Sequence, residues 1–456
     1  MDKKIMSLLD KPLYPYLYGI SFISYKSARY LTSFSFFTAF AFFLGVCAVC
    51  YVLTTLFKKV STSSYSGISV VIIIASLFHV ATIAQFFGYE YAYIPTQFYV
   101  VFYAIVIAGI ILLQLLFSRI TGSSAFMFNK VANVFLLAIS IVFFLNGVLY
   151  AQKINTKHST SIATFRKIPA HRQRDIIWFL LDEYPSAISL KQQFAFDNTM
   201  DKQLAAKGFE VLGNMHSRFN NTLYSLNAIF NYDDSVVPAS FFVAAHSLQQ
   251  NSWIKELDDS GYEIVNLGIF DLGMHPKLAD RSGYPQTFWQ QLITGTFINV
   301  VNNGIKFSIA QCDRYTQEIL QKLDDTLKST SDKPRFIWVH LSIPHEPFCR
   351  DSKGHVLDNI SFEEADSTPI KKGFVEYLQY GNTVMNRILK DHPSIFENII
   401  VVSGDHGPRF RFLHDKAYQK WPLAAVRIPG NYDTTQLRQL RYISQIPSFI
   451  SQYRNN

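Results

Sequence analysis

The segment VVSGDHGPR, residues 401–409, places an acid, an imidazole and a guanidinium directly after a run of β-branched residues. Asp405 and His406 are adjacent, and Arg409 follows within the same short segment. Carboxylate oxygens and imidazole nitrogens are ligands for divalent metal ions, and a guanidinium suits bidentate contact with an oxyanion. The segment therefore predicts a site that holds a metal ion and an anionic group.

Two other apolar runs end in the same way. Ile176–Leu181 is followed by Asp182 and Glu183, and the run at 336–341 is followed by His345. Continuous apolar runs without alternation are typical of strands buried on both faces of a parallel sheet. Ligand sites in such sheets lie beyond the carboxyl ends of the strands. Three strands that deliver acids and histidines to one edge predict a metal site there.

The segments between these runs have helical patterns. They lie at about 190–207, 247–260, 313–327 and 374–389, and further short strands are expected within 208–214 and 261–268. Alternating strands and helices predict an α/β sandwich.

A threonine precedes another helical pattern in the segment SRFNNTLYSLNAIFN, residues 217–231. A hydroxyl at a helix N-terminus is most often an N-cap. Helix N-termini also bind phosphate, and a metal ion can turn a hydroxyl there into a nucleophile. Both interpretations of Thr222 are open at this point.

The first third of the chain has the composition of a membrane protein. The 456 residues are 49% hydrophobic and 17% charged, against about 25% charge in a typical soluble protein. Four apolar runs, at 33–57, 68–87, 98–117 and 131–150, are long enough to cross a hydrocarbon core of about 30 Å. A fifth stretch, 13–25, is interrupted by Pro15 and predicts either a short span or an interfacial helix.

The distribution of basic residues among the loops predicts the orientation of the chain in the membrane. Lys58, Lys59, Arg119 and Lys130 lie in two of the connections, whereas the connection at 88–97 has no Lys or Arg. Basic loops are retained in the cytoplasm, so the part of the chain after the last span is expected outside. The net charge of +8 comes mainly from residues that flank apolar segments, without a basic stripe, so no nucleic-acid partner is expected.

These observations divide the chain into three parts. Residues 1–152 are expected to form a transmembrane domain of four or five helices, and residues 153–173 a polar, basic juxtamembrane linker. Residues 174–456 have the composition of a soluble domain large enough for a full core. Cys312 and Cys349 fall in this external part, where a disulfide is permitted.

The ordered segments FLLDEYPS, SRFNNTLYSL, VHLSIPHEPF, VSGDHGPR and WPLAAVRIPG resemble the sulfatase-like branch of the alkaline phosphatase superfamily. The resemblance covers residues 174–456. It is greatest to bacterial membrane-anchored phosphotransferases, namely lipoteichoic acid synthases, phosphoglycerol transferases and phosphoethanolamine transferases. It implies an α/β sandwich of alkaline phosphatase and sulfatase type, in a multi-pass protein of the bacterial inner membrane with its catalytic domain periplasmic or extracellular.

The resemblance also implies roles for individual residues. Asp182, with Glu183 as the less favoured neighbour, and Thr222, Asp405 and His406 would hold one divalent metal ion, Zn²⁺ or Mn²⁺. Thr222 would also be the nucleophile. His345 and Arg409 would contact the substrate, although a loop hydrogen bond or a surface salt bridge is an equally open interpretation of these two.

The implied activity is transfer of a phosphoglycerol or phosphoethanolamine group from a membrane lipid donor to an envelope glycan or lipid, through a phosphothreonine. The alternative is a membrane-bound phosphodiesterase, or another sulfuric or phosphoric ester hydrolase, that uses the same site with water. A third alternative, a non-catalytic membrane protein, is disfavoured by the complete set of site residues. TLYSL at 222–226 lacks the Cys/Ser-x-Pro-x-Arg motif of true sulfatases, and Asn382 stands where an acid of a second metal site is expected.

Overall fold

A computed structural model of the chain describes residues 10–28, 35–60, 66–87, 96–117, 123–157, 174–232, 241–278, 288–298, 309–357, 367–410, 412–413 and 415–453. Most of the predicted linker, residues 158–173, lies outside these ranges. Contacts divide the chain into two compact units. The first comprises residues 1–163 and 285–305, and the second comprises residues 164–284 and 306–456.

Helices and strands are numbered here in chain order. The helices are α1 Tyr14–Ala28, α2 Phe36–Val60, α3 Ser66–Phe86, α4 Thr96–Phe117, α5 Ser123–Lys157, α6 Ala187–Phe194, α7 Met200–Ala206, α8 Thr222–Asn231, α9 Phe241–Gln249, α10 Ser252–Asp259, α11 Phe288–Ile293, α12 Ile309–Lys328, α13 Ser367–Asp391, α14 Thr434–Gln439 and α15 Ile446–Tyr453. The strands are β1 Ile176–Leu181, β2 Glu210–Val211, β3 Glu263–Leu267, β4 Arg335–Leu341, β5 Ile399–Gly404 and β6 Ala424–Arg427.

Four helices of the first unit are long and apolar enough to cross a membrane, and they coincide with the four predicted spans. The qualifying segments are Phe36–Lys59, Ser66–Ala84, Gln97–Leu116 and Met127–Leu149, within α2, α3, α4 and α5 respectively. A helix buries its own backbone hydrogen bonds, so runs of apolar residues without charge can cross the hydrocarbon as helices.

Helix α1 lies lengthwise along α5. The ring of Tyr14 contacts Phe128 at 5.6 Å between centroids, and that of Tyr25 contacts Phe143 at 5.3 Å. The helix is about 22 Å long, which is shorter than a hydrocarbon core of about 30 Å. Because its two ends contact α5 about four turns apart, the short-span interpretation of 13–25 is favoured over an interfacial helix.

The second unit is built on a six-stranded sheet in the described residues, with strand order β2-β6-β5-β1-β4-β3. Strands β5, β1, β4 and β3 are parallel, whereas β6 is antiparallel to both of its neighbours. Every residue of β1 and β5 is buried, as their unalternated apolar sequences predict. The short strands expected within 208–214 and 261–268 are β2 and β3.

Aromatic packing fixes helix α8 against this sheet. Phe230, near the end of α8, contacts Trp338 of β4 at 4.9 Å between ring centroids and Trp253 of α10 at 5.6 Å. Trp253 in turn contacts Trp178 of β1 at 5.5 Å. Large buried aromatic contacts of this kind stabilise a core strongly, and removal of one such ring typically costs about 3–5 kcal/mol. The cluster therefore holds the C-terminal part of α8 against β4 and α10.

Two of the predicted helices are each divided in two. The pattern at 190–207 forms α6 and α7, because Ala195 adopts a left-handed conformation with φ 52° and ends α6. The pattern at 247–260 forms α9 and α10, because the side chain of Asn251 accepts a hydrogen bond from the backbone of Ile254 and starts a new helix. Both breaks are local capping events that an apolar period does not reveal.

Candidate metal centre

The parallel strands of the second unit end at the same level. Leu181, the last residue of β1, pairs with Leu341 of β4 on one side and with Gly404 of β5 on the other. The residues that follow β1 and β5 therefore emerge side by side. A Cβ atom at Gly404 would lie 2.2 Å from the carbonyl oxygen of Tyr184, so only glycine permits this close approach of the two loops.

A sharp turn separates the side chains of Asp182 and Glu183. Glu183 has φ 61°, a conformation that costs a non-glycine residue about 1–3 kcal/mol. Its backbone N–H donates to Asp405 Oδ1 at 3.0 Å, which joins the ends of β1 and β5. The turn directs Asp182 toward Thr222 and Glu183 toward Arg409. The structure thus brings Asp182, and not Glu183, together with the other predicted ligands.

Asp405 and His406 are completely buried at the end of β5. His406 donates from Nδ1 to the carbonyl of Gly407 at 2.8 Å, which leaves a lone pair on Nε2. This nitrogen lies 3.2 Å from Asp405 Oδ2 and 3.3 Å from Thr222 Oγ1. Asp405 Oδ2 is buried and makes no hydrogen bond in the described structure. His406 Nε2 and Asp405 Oδ2 are thus both available to bind a metal ion.

Thr222 is the first residue of α8 and not its N-cap. The N-cap is Asn221, which has extended backbone angles and makes no capping hydrogen bond with its side chain. The Thr222 hydroxyl instead donates to Asp182 Oδ1 at 3.1 Å. Its side chain is buried at the positive end of the helix, an environment that favours negative charge. The geometry therefore excludes the simple capping interpretation.

His340 of β4 is a neighbour of this cluster that the sequence did not single out. It is completely buried, and its Nε2 donates to Asp182 Oδ2 at 3.2 Å. Its Nδ1 makes no hydrogen bond in the described structure. The sequence signal for this residue is a histidine within a buried apolar strand, because an imidazole in a core needs polar partners.

Arg409, Glu183 and His345 form a second group beside the first. Arg409 donates from Nε to Glu183 Oε1 at 2.8 Å and from Nη2 to His345 Nε2 at 3.3 Å. His345 donates from Nδ1 to the carbonyl of Glu346 at 2.6 Å. Glu183 is almost fully buried, whereas Arg409 and His345 are about one third and one quarter exposed. The two predicted substrate contacts are therefore adjacent and reach the surface.

The two candidate carboxylate ligands differ in their electrostatics. Burial raises the pKa of Asp182, but the neighbouring imidazoles of His345, His340 and His406 outweigh it and hold this pKa below its usual range. Burial raises the pKa of Asp405 above its usual range, and the charge of Asp182 adds to this effect. Two ionised carboxylates in one buried site repel each other, and a bound divalent cation would offset this repulsion.

The donor atoms fit a small divalent ion. Oxygen or nitrogen atoms of Asp182, Asp405 and His406 all lie within 4.8 Å of one another. Tetrahedral ligands at about 2.0–2.2 Å from an ion lie roughly 3.3–3.6 Å apart. The contacts at Thr222–Asp182, Thr222–His406 and His406–Asp405 are 3.1, 3.3 and 3.2 Å, already close to those spacings. Oxygen and imidazole donors suit Zn²⁺ or Mn²⁺.

Comparison with protein families matches residues 240–430 to the sulfatase family. The matched range covers less than half of the chain. The match confirms the predicted sulfatase-type fold and agrees with the prediction of an enzyme of sulfatase-like hydrolase or transferase type. His340, His345, Asp405, His406 and Arg409 lie inside the matched range of the sulfatase-family domain, whereas the residues from β1 and α8 precede it.

Several solved structures are similar to this chain. The lipooligosaccharide phosphoethanolamine transferase A of Neisseria meningitidis is 13% identical, over 100% of this chain and 96% of that chain, with a TM-score of 0.47. The zinc complex of the periplasmic domain of an Escherichia coli EptC is 13% identical, over 64% and 85%, with a TM-score of 0.41. The lipoteichoic acid synthase LtaP of Listeria monocytogenes is 11% identical, over 62% and 72%, with a TM-score of 0.36. A comparison with curated proteins finds no match.

Proposed function

We propose that this protein is a metal-dependent phosphotransferase. It moves a phosphoglycerol or phosphoethanolamine group from a membrane lipid donor to an envelope glycan or lipid, with a phosphothreonine on Thr222 as the intermediate. The observation that carries this proposal is the position of the Thr222 hydroxyl, buried at a helix N-terminus within 3.3 Å of both Asp182 and His406. A structural threonine has no need of two charged or ionisable partners in a core.

Metal ligation is assigned to Asp182, Thr222, Asp405 and His406. A bound Zn²⁺ or Mn²⁺ would lower the pKa of the threonine hydroxyl and neutralise charge on a phosphoryl oxygen. The protein's own contribution is to orient the donor atoms. Asp182 accepts the hydroxyl hydrogen bond, the Gly407 carbonyl holds the tautomer of His406, and the backbone of Glu183 holds Asp405.

The proposed chemistry consists of two in-line displacements at phosphorus. In the first, Thr222 Oγ1 forms a bond to the donor phosphorus, and the bond from phosphorus to the lipid alcohol breaks. The diacylglycerol leaves with a proton, and the headgroup phosphate stays on Thr222. In the second, an acceptor hydroxyl forms a bond to the phosphorus, the bond from phosphorus to Thr222 Oγ1 breaks, and the acceptor's proton passes to the threonine oxygen. Arg409 is held by Glu183 beside His345, which suits contact with non-bridging phosphoryl oxygens.

Three observations support a lipid donor on the external side of a bacterial inner membrane. The same chain carries four helices of membrane length. Lys58 and Lys59 lie at the end of α2, whereas Trp289 contacts Phe42 near the start of α2, so the segment with Trp289 is external if the lysines are cytoplasmic. Cys349 of the second unit is disulfide-bonded, which suits an oxidising compartment outside the cytoplasm.

Sealed right-side-out vesicles that contain the full chain and a headgroup-labelled phospholipid test this proposal. We expect the label to pass to an added acceptor with equivalent release of diacylglycerol, and a membrane-impermeant chelator added outside to stop the reaction. Label released to water at the same rate without acceptor would favour the hydrolase. A chelator effect seen only after permeabilisation would contradict the external site, and no diacylglycerol release would contradict both activities.

The variant His340→Leu is expected to bind the metal ion about 10–100-fold more weakly, because Asp182 Oδ2 loses the donor that orients it. His340→Gln is expected to retain most of the affinity, since its amide can donate from a similar position. Competition with a fluorescent chelator measures both values. Equal affinities for the wild type and the leucine variant would contradict a positioning role for His340.

A further inference from the structure

One segment of the second half of the sequence belongs to the first unit. Residues 285–305 lie between β3 and α12 in sequence, yet they belong to the first unit, and the described residues 288–298 pack with the membrane helices. Phe288, Leu292 and Ile293 of α11 are buried in a cluster with Phe42 of α2 and Phe78 of α3. The chain on both sides of this segment belongs to the second unit.

The contacts of this segment lie at one level of the helical unit. The ring of Trp289 contacts Phe42 at 6.0 Å, about 9 Å along α2 from its first residue. The ring of Phe297 contacts Tyr103 at 5.9 Å, about 10 Å along α4 from its first residue. Both helix starts lie at the end opposite to Lys58 and Lys59. The segment therefore reaches the outer part of the span region without approaching its middle.

Polar groups of the segment are satisfied by the membrane helices. Lys26 of α1 donates from Nζ to the carbonyl of Thr294 at 2.6 Å, directly after the end of α11. A cation at a helix C-terminus stabilises the exposed carbonyls there. The carbonyl of Gly295 accepts from the backbone N–H of Ala81 at 3.4 Å. A lysine on the external side opposes the positive-inside rule, and this contact gives Lys26 a structural reason to be there.

Three apolar side chains of the segment are left exposed. Trp289, Phe297 and Ile298 are 45%, 38% and 48% exposed, although their neighbours in α11 are buried. They continue the apolar surface of the spans. Phe40 of α2 and Val100 of α4, which lie near the starts of their helices as the contacts of the segment do, are also exposed. Tryptophan and other aromatic residues are enriched at the boundary between headgroups and acyl chains. The surface thus has the depth and chemistry of a lipid contact.

We propose that residues 288–298 form a re-entrant segment in the external leaflet, and that Trp289, Phe297 and Ile298 contact the acyl chains of its phospholipids. Transfer of the exposed parts of these side chains from water into lipid is favourable, because it removes apolar surface from water. This inference does not require the proposed transfer reaction, because lipid contact is independent of catalysis.

Bromolipid quenching of tryptophan fluorescence in proteoliposomes of the full chain tests this proposal. Of the five tryptophans, Trp178, Trp253, Trp338 and Trp421 belong to the second unit, so Trp289 is the one in the first. Lipids brominated near the glycerol end are expected to quench the wild type more than lipids brominated near the terminal methyl. Trp289→Phe is expected to lose this quenching.

A second variant keeps the test decisive. Adding Ile298→Trp to Trp289→Phe is expected to restore quenching by the shallow label, because Ile298 is also exposed in the same segment. Quenching that is equal in the wild type and Trp289→Phe would overturn the proposal. Absence of quenching in every variant would overturn it as well, and would indicate that a second copy or another part of the chain covers this surface.

Discussion

The variant Thr222→Ala is expected to abolish turnover, by at least about 10⁴-fold, while the domain remains folded. Loss of a nucleophile removes the only route through a covalent intermediate, whereas loss of one buried hydroxyl costs about 1–2 kcal/mol of stability. Headgroup transfer and the thermal unfolding midpoint should be measured on the same preparation. Thr222→Ser keeps a hydroxyl and is expected to retain partial activity.

Ser225→Ala is the matched control for this variant. Ser225 lies one turn further along α8, is also buried, and its hydroxyl contacts Ser217 at 3.0 Å, away from the metal cluster. It is expected to lose a similar amount of stability and little activity. Peptide mass spectrometry of acceptor-starved enzyme should detect a headgroup phosphate on the peptide with Thr222, and added acceptor should remove it. Turnover by Thr222→Ala at the wild-type rate would contradict the proposed mechanism.

The variant Asp405→Ala is expected to abolish tight metal binding. Its Oδ2 is a buried oxygen without a hydrogen bond and is available to ligate the metal ion. Its Oδ1 accepts the hydrogen bond that holds the turn at Glu183. The substitution therefore removes one metal ligand and also loosens the turn that positions Asp182. Elemental analysis of the purified full chain is expected to fall from about one metal ion per chain to none. The variant is also expected to be inactive.

Thermal unfolding separates metal loss from a general loss of stability. At a free metal concentration of about 100 times Kd, binding stabilises the folded state by about 2.7 kcal/mol, so a chelator should lower the wild-type Tm by roughly 5–10 °C. Asp405→Ala should start from a lower Tm and show no further chelator effect. Asp258→Ala, which loses a surface contact with His275 at 3.0 Å, should respond to chelator like the wild type. A full complement of metal in Asp405→Ala would contradict the assigned site.

Much of the architecture follows from local sequence. Unalternated apolar runs are buried whatever surrounds them, so β1, β4 and β5 and the four long spans could be predicted from hydrophobicity and length alone. Parallel strands end at one edge, so the acids after β1 and β5 could be placed together before any distance was known. The structure agrees with this expectation, because Leu181 at the end of β1 pairs with Gly404 at the end of β5.

Other features depend on contacts between residues far apart in the chain. The sign of φ at Glu183 decides that Asp182 faces Thr222 while Glu183 faces Arg409, and adjacent acids look equivalent in a sequence. His340 acquires its partner only when β4 is placed beside β1.

Local sequence is enough to establish which segments are buried, which are long and apolar enough to span a membrane, and which side chains follow the strands, because burial and periodicity are local properties. Tertiary structure decided that Thr222 is not an N-cap and that residues 288–298 pack with the membrane helices. The physical reason is the same in both cases. A hydroxyl or a short apolar helix has several favourable local environments, and the one it occupies is selected by distant partners, here Asp182 and His406 for the first and the cluster around Phe42 for the second.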